Sequence, residues 1–457
     1  MQTLSLGDLT VIALFLLGLV YLAYITKYRN ENKENYFLMG RQLTLPMFVA
    51  TLVSTWYGGI FGVTQITFNH GIYNFFIQGV FWYITYLIFA FVMVPRLFKH
   101  RTALTLADIV QEYVGPKSAK LSAWFNILDV FPISYTLALG IFIESITPLN
   151  LLSSLLCGAL FVATYTAWGG FRSVVYTDCL QFVVMFLGVF SLVCFSFWEF
   201  GSLSEMWQKL PDTHKVPTGQ DSWHSFAVWG FIALATLIDP NFHQRCFAAK
   251  DLKTAKSGII ISTCFWIFFD LCTTTGALYA RAYMPHLESS KAYIIYAMEI
   301  LPSGFRGLFL AAVASTIMST LDSYLFTASK ITAHNLTRTS DRNLVKHHRI
   351  FVFSIALAAV FVSLQFSGDF KKIWKFFGSI SRGCLLIPVL YILFAKTKIE
   401  DRDFFASLLL SACAAIFWEF FLQKALHSSV DTFYVSLGVN AIFLLYKHQK
   451  SRRATCL

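Results

Sequence analysis

Cut at its polar breaks, the chain falls into thirteen apolar runs: 8–27, 44–66, 72–95, 121–147, 150–168, 174–198, 223–242, 256–284, 305–333, 349–367, 374–395, 403–423 and 430–446. Each is long enough, or nearly so, to cross a hydrocarbon layer of about 30 Å as a helix. In lipid a helix keeps every backbone hydrogen bond within its own segment. The pattern therefore predicts an all-α polytopic membrane protein with about 13 transmembrane helices, its termini on opposite sides because the count is odd.

Two runs are interrupted. Segment two carries Gly58-Gly59, with Gly62 one turn on, and segment seven ends in Asp239-Pro240-Asn241 ahead of Gln244-Arg245. Five segments separate the two breaks, so a second five-helix unit enters the membrane from the opposite side. Interruptions at matching places in two halves point to an inverted-repeat transporter with its site near the midplane. Packing glycines and a terminal proline give the same pattern, and that reading stands beside the first.

Segment nine contains a polar stripe. Thr316, Ser319, Thr320, Ser323 and Thr327 recur at spacings that share one helical face, and Asp322 lies beside them. A hydroxylated face with one carboxylate is costly in lipid unless it meets protein, water or an ion. Close helix packing satisfies that condition, and so does a cation site.

Composition supports the membrane reading and narrows the chemistry. The 457 residues are 56% hydrophobic, 17% aromatic and only 13% charged, against about a quarter charged in soluble proteins. The net charge of +11 does not imply nucleic acid, because the basic residues cluster in alternate loops. Counting residues at segment ends with the adjoining loop, 26 Lys and Arg fall on the side of the C-terminal tail and 9 on the other, with Arg382 inside segment eleven. The N-terminus is thus expected outside and the tail in the cytoplasm of a cell bounded by the plasma (inner) membrane. Met1 to Thr10 shows no basic stretch or cleavage pattern, so the first helix is expected to remain. The nine cysteines lie singly, without a metal-ligand spacing. Within the membrane, Asp129, Glu144, Asp178, Asp270, Asp322 and Glu419 face a lone Arg382. That imbalance favours either a cation as counter-charge or protonated carboxyls.

The run Gly169-Gly170-Phe171-Arg172-Ser173-Val174-Val175-Tyr176-Thr177-Asp178-Cys179-Leu180-Gln181 resembles the signature of the sodium:solute symporter family. Three other places agree: Ser54-Thr55-Trp56-Tyr57-Gly58-Gly59, the stretch Gln244-Arg245 to Ala255, and Met318-Ser319-Thr320-Leu321-Asp322-Ser323. The resemblance spans about residues 8 to 396. It implies a five-plus-five inverted-repeat core of the leucine-transporter type, segments two to six and seven to eleven. The corresponding divisions are 1–40, 41–200, 201–222, 223–396 and 397–457. It also implies a Na⁺ site made by backbone carbonyls near Ser54 and Tyr57 and of Thr316, with the hydroxyls of Ser319 and Thr320. Na⁺ is a hard cation suited to such oxygens, and a broken helix frees carbonyls to hold it. Asp178 matches a position tied to sodium coupling, or it complements a helix dipole; Asp322 is its electrostatic neighbour along the ion path.

For the solute, segment seven offers one hydroxyl and no amide across Phe231 to Ile238, too little for a sugar. Trp56, Gly58, Gly59, Gln65, Asn69, Gln78, Trp82 and Phe376-Phe377 form an aromatic-rich set suited to a small amphipathic or cationic solute. The expected function is sodium-coupled import of a small organic solute, in a lipid bilayer, without an organic cofactor or nucleic acid. A proton-coupled relative, with Asp322 or Asp178 carrying H⁺, is the first alternative. A membrane sensor or enzyme is the second, and its one candidate pair is Asp239 with His243.

Overall fold

The computed structural model describes residues 4–27, 32–219, 223–337, 339–366, 377–395, 399–426 and 430–455. Among these residues the regular elements are helices, joined by one isolated backbone bridge between Leu43 and Ala249. Among the described residues nine helices are long and apolar enough to cross a membrane, and Ser379–Phe394 is a shorter apolar one. The longest, Leu151–Phe200, has 50 residues. At 1.5 Å per residue it would reach about 75 Å, well over one crossing. Gly170 resolves this: at φ 65° and ψ −156° it leaves the helical region and separates segments five and six. A side chain there would meet the Tyr36 carbonyl at 2.6 Å, so both backbone angle and space demand glycine.

Both breaks read from the sequence are present, and a third appears. Segment two is helical over Leu45–Ser54, turns through Thr55 and Trp56, tightens to a 3₁₀ turn at Tyr57–Gly59 and resumes over Ile60–His70. Segment seven runs over Trp223–Ala233 and a 3₁₀ turn Leu234–Ile238, then breaks at Asp239 before Pro240–Ala248. The Asp239 carboxylate caps the restarted helix by accepting the amides of Asn241 at 2.8 Å and Phe242 at 3.4 Å. Segment four, expected to be continuous, divides into Pro116–Asp129 and Ile133–Ile146. Pro132 lacks the amide that a continuous helix would need there.

Segment nine, Phe305–Ile331, is the centre of the packing. Every residue from Phe309 to Ile331 is buried, so its polar stripe faces protein on all sides rather than lipid on one. Segment one, Leu6–Ile25, is mostly exposed along its length but fixed at its start. There Asp8 closes a capping box with Ser5 and accepts the amides of Gly304 and Gly307, at 2.8 and 2.9 Å, from the beginning of segment nine.

The other end of segment nine is tied to the helix Leu106–Tyr113, between segments three and four. Asp108 there accepts His334 Nε2 at 3.0 Å, Asn335 Nδ2 at 2.8 Å and the Leu104 amide at 2.8 Å. Burial alone would raise this carboxyl, but the His334 contact and the amide donors outweigh it and lower it from 3.8 to about 2. A depressed carboxyl stabilises the fold above its unfolded value, and that gain is lost as pH falls through the folded one. Asp108→Asn is therefore expected to cost about 2 kcal/mol at neutral pH. The melting difference from wild type should shrink as pH is lowered from 3.8 towards 2, and a difference independent of pH in that window would refute the assignment.

Candidate functional site

The break of segment two meets the stripe of segment nine at Ser319. Its hydroxyl lies 2.8 Å from the Ser54 carbonyl, 2.8 Å from that of Ser315 and 3.3 Å from that of Thr316. One hydroxyl proton cannot serve three acceptors, so the locus is rich in unshared oxygen lone pairs. Thr320 Oγ1 lies beside it, 3.0 Å from the Thr316 carbonyl. The Thr316 hydroxyl turns back to Val313 O at 2.8 Å, leaving its carbonyl as the group that faces this locus. Gly58 makes the approach possible: a Cβ there would sit 2.6 Å from Thr320 Cβ and 2.6 Å from the Tyr135 ring. Ser54, Thr316, Ser319 and Thr320 are thus brought together as neutral oxygen donors. Tyr57 is placed differently, because its carbonyl accepts the Ile60 amide and its hydroxyl turns to Asp270 and, at 3.2 Å, to Trp266 O. Only the second lone pair of the Tyr57 carbonyl remains for an ion.

Below this locus, towards the first half of segment two, lies a fully buried polar network that corrects the charge reading. Arg245, expected in a loop, has no exposed side-chain surface. Its Nη2 approaches Thr51 Oγ1 at 2.9 Å, Thr55 Oγ1 at 2.5 Å, Ser323 Oγ at 2.8 Å and Asp178 Oδ2 at 3.5 Å. The Thr51 hydroxyl also donates to Asp178. Asp178 is therefore held in a salt bridge rather than standing alone at a helix start. Lys330 is buried as well, donating to Leu104 O at 2.8 Å and to Gln244. The half-buried Arg382 is thus not the lone cation inside the fold, since carbonyls, hydroxyls and a carboxylate hold two buried ones away from water. Asp322 accepts the Tyr165 hydroxyl at 2.8 Å. Among the described residues, neither Asp178 Oδ1 nor Asp322 Oδ1 has a hydrogen-bond partner.

Above the break opens a cavity of ≈ 370 Å³, in the range of small-molecule sites. Trp56, Tyr57, Gly59, Gln78, Trp82 and Phe377 line it. Gly58 and Gln65 do not; Gly58 faces Thr320, and Gln65 Nε2 lies 3.5 Å from Ser289 Oγ. Asn69 is exposed and Phe376 lies outside the described residues. The sequence reading missed Trp229 and the ion pair of Arg382 Nε with Asp129 Oδ1 at 2.5 Å, which also line the cavity. Asp239 adds a second carboxylate 3.9 Å from Arg382 Nη2. His243 Nε2 donates to Leu237 O, 2.9 Å away, so with Asp239 it braces the break of segment seven.

A family model described as the sodium:solute symporter family matches residues 36–406. The chain belongs to the sodium:solute symporter family. The symporter is 25% identical over 417 residues to a sodium/pantothenate symporter of Haemophilus influenzae, covering 84% of each. It is 25% identical to sodium/myo-inositol cotransporter 2 of Oryctolagus cuniculus, covering 79% of this chain and 61% of that longer protein. In fold it is similar to a Na⁺-coupled sialic acid symporter solved substrate-bound and outward-open, with a TM-score of 0.81, 14% identity and 96% of both chains covered. A nucleobase-cation-symport-1 family transporter, closed with bromovinylhydantoin bound, gives 0.52 at 11% identity over 92% and 96% of the two chains. At these identities the solved structures establish the fold, the leucine-transporter type that the family resemblance implied. As a family member, this symporter is an integral multi-pass transporter that couples Na⁺ to a small solute, not an enzyme.

Proposed function

We propose that the symporter imports a small organic solute with Na⁺ bound between the break of segment two and segment nine. The carbonyls of Ser54, Tyr57 and Thr316 and the hydroxyls of Ser319 and Thr320 hold the ion. Trp56, Gly59, Gln78 and Phe377 contact the solute in the cavity above. The observation that carries this reading is the crowding of three carbonyl oxygens around the Ser319 hydroxyl, one of them contributed by the broken helix. Neutral oxygens replace hydration without binding so tightly that the ion cannot leave.

With the N-terminus outside and the tail in the cytoplasm of a cell enclosed by its plasma membrane, Ile60–His70 lies on the outer side of the break. The cavity then faces outward, and the Arg245 network seals the inner side. Na⁺ completes the joint, the solute closes the cavity, and the halves 41–200 and 223–396 rock to release both inward. Asp178 and Asp322 line the inner leg of the ion path, so the seal must loosen before Na⁺ passes. Each charge carried through 100 mV supplies about 2.3 kcal/mol towards solute accumulation.

In proteoliposomes, Ser319→Ala combined with Thr320→Ala is expected to raise the half-saturating Na⁺ concentration for uptake at least ~10-fold, equivalent to about 1.4 kcal/mol of lost ion binding. By linkage, solute affinity measured at fixed Na⁺ should fall in parallel. Unaltered sodium dependence in that double variant would remove these residues from the ion site.

A further inference from the structure

We propose that Asp270 is the carboxylate that reads the charge of the solute, and that the solute is a compact organic cation. This rests on the cavity being the solute site.

Among the described residues four charged side chains line the cavity: Asp129, Asp270, Asp431 and Arg382. Three are already engaged by charge or by capping. Arg382 and Asp129 form an ion pair at 2.5 Å, and Asp239 shares the guanidinium. Asp431 Oδ1 accepts the Phe433 amide at 2.9 Å and the Ser379 hydroxyl at 3.0 Å, which fixes it at the start of segment thirteen.

Asp270 differs from all three. Its two oxygens accept the hydroxyls of Tyr57, from the break of segment two, and Tyr83, from segment three. These donors orient the carboxylate without neutralising it, and among the described residues no cation pairs with it. Each oxygen keeps lone-pair capacity for a further donor. An uncompensated carboxylate at the wall of a low-dielectric cavity attracts a cation and repels an anion far more strongly than it would in water.

The other walls suit the same ligand. Trp56, Trp82 and Trp229 present indole rings, the last two with centroids 6.5 Å apart, and ring faces attract ammonium groups. Apart from tyrosines and the four charged groups, the polar side chains on the walls among the described residues are Gln78, Ser134 and Ser379. Such a set cannot satisfy a solute with many hydroxyls.

Asp270 also joins solute recognition to the ion. Tyr57 lies one residue from Gly58 at the break, and its hydroxyl has a second acceptor in Trp266 O at 3.2 Å. When a cation engages Asp270, the Tyr57 hydroxyl can pass to Trp266 without losing a hydrogen bond, and the broken helix adjusts beside the ion locus.

The test uses the purified full-length protein in nanodiscs, following thermal stabilisation and tryptophan fluorescence at saturating Na⁺. The probes are tetramethylammonium, guanidinium, neopentyl alcohol, pivalate and glycine betaine. At least one of the two cations is expected to bind ~10-fold or more tightly than neopentyl alcohol, a gap of about 1.4 kcal/mol, with pivalate weakest. Asp270→Asn should abolish that preference, and Asp270→Glu, which keeps the charge, should retain it. Neutral, zwitterionic or anionic probes binding as tightly as both cations overturn the proposal, even if the Asp270→Asn protein fails to fold. Retention of the preference in a folded Asp270→Asn protein overturns it too. Stabilisation by Na⁺ alone is read separately: its absence in the wild type defeats the ion-site reading, whereas its presence with no charge preference defeats only the assignment to Asp270.

Discussion

Replacing Arg245 by methionine is expected to destabilise the symporter by about 3–5 kcal/mol, the usual cost of stranding one member of a buried ion pair. Methionine fills much of the same volume, so the loss is electrostatic rather than a cavity effect. Without the guanidinium, Asp178 keeps the Thr51 hydroxyl but loses its paired cation, while Thr55 Oγ1 keeps Thr51 O at 2.7 Å and Ser323 Oγ at 3.1 Å. The check is the apparent melting temperature in detergent, with Asp178→Asn combined with Arg245→Met as the diagnostic variant. Removing both charges should recover most of the loss, because an apolar or neutral pair no longer carries an uncompensated charge. A single variant as stable as wild type would show that Arg245 does not hold the network together. Uptake by the double variant should remain impaired if the proposed cycle holds, since the proposed inner seal and the carboxylate assigned to its ion path are both gone.

Gly58→Ala should have a smaller effect on folding and a larger one on ion binding. The added methyl would lie 2.7 Å from Thr320 Oγ1 and 2.6 Å from Thr320 Cβ, and neither belongs to the far end of a flexible chain. Segment nine is buried all round and cannot retreat, so the break of segment two must move away from it. Overpacking of this kind costs about 1–3 kcal/mol. Spent on separating Ser54 O from Ser319 Oγ, that range corresponds to roughly a 5- to 150-fold weaker Na⁺ response. The measurement is Na⁺-dependent thermal stabilisation across a concentration series. A normal midpoint would mean that close approach at Gly58 does not set the ion site.

Much of this arrangement was legible in the chain because lipid imposes strong rules. Apolar length marks the helices, and Gly58-Gly59 and Asp239-Pro240 mark two breaks because backbone irregularity at that depth requires a reason. Helical spacing made the stripe of segment nine legible, and the family resemblance narrowed it to Ser319 and Thr320. What stayed hidden depended on tertiary contacts. Arg245 and Lys330 look like ordinary loop cations beside a polar break, and their burial is set by acceptors from Thr51, Thr55, Ser323, Leu104 and Gln244, far apart in sequence. The division of segment four had a local signal in Pro132, three residues after Asp129, yet its apolar run masked it. Gln65 shows the opposite failure. Its spacing from Gly58 suggested a shared site, but the intervening 3₁₀ turn rotates the second half of the helix and sends the side chain towards Ser289.

The cap at Asp8 bears on how the molecule divides its labour. Segment one is mostly exposed along its length, yet its first turn is fastened to the first turn of segment nine by two amides held on one carboxylate oxygen. At its far end segment nine is moored again, through Asp108 and the donors of His334 and Asn335. A rod anchored at both ends and surrounded by protein along its length is poorly suited to be the moving part of a machine. In the proposed transport cycle it serves as the bearing, and the broken second helix, with a joint at its middle, is the lever that turns against it.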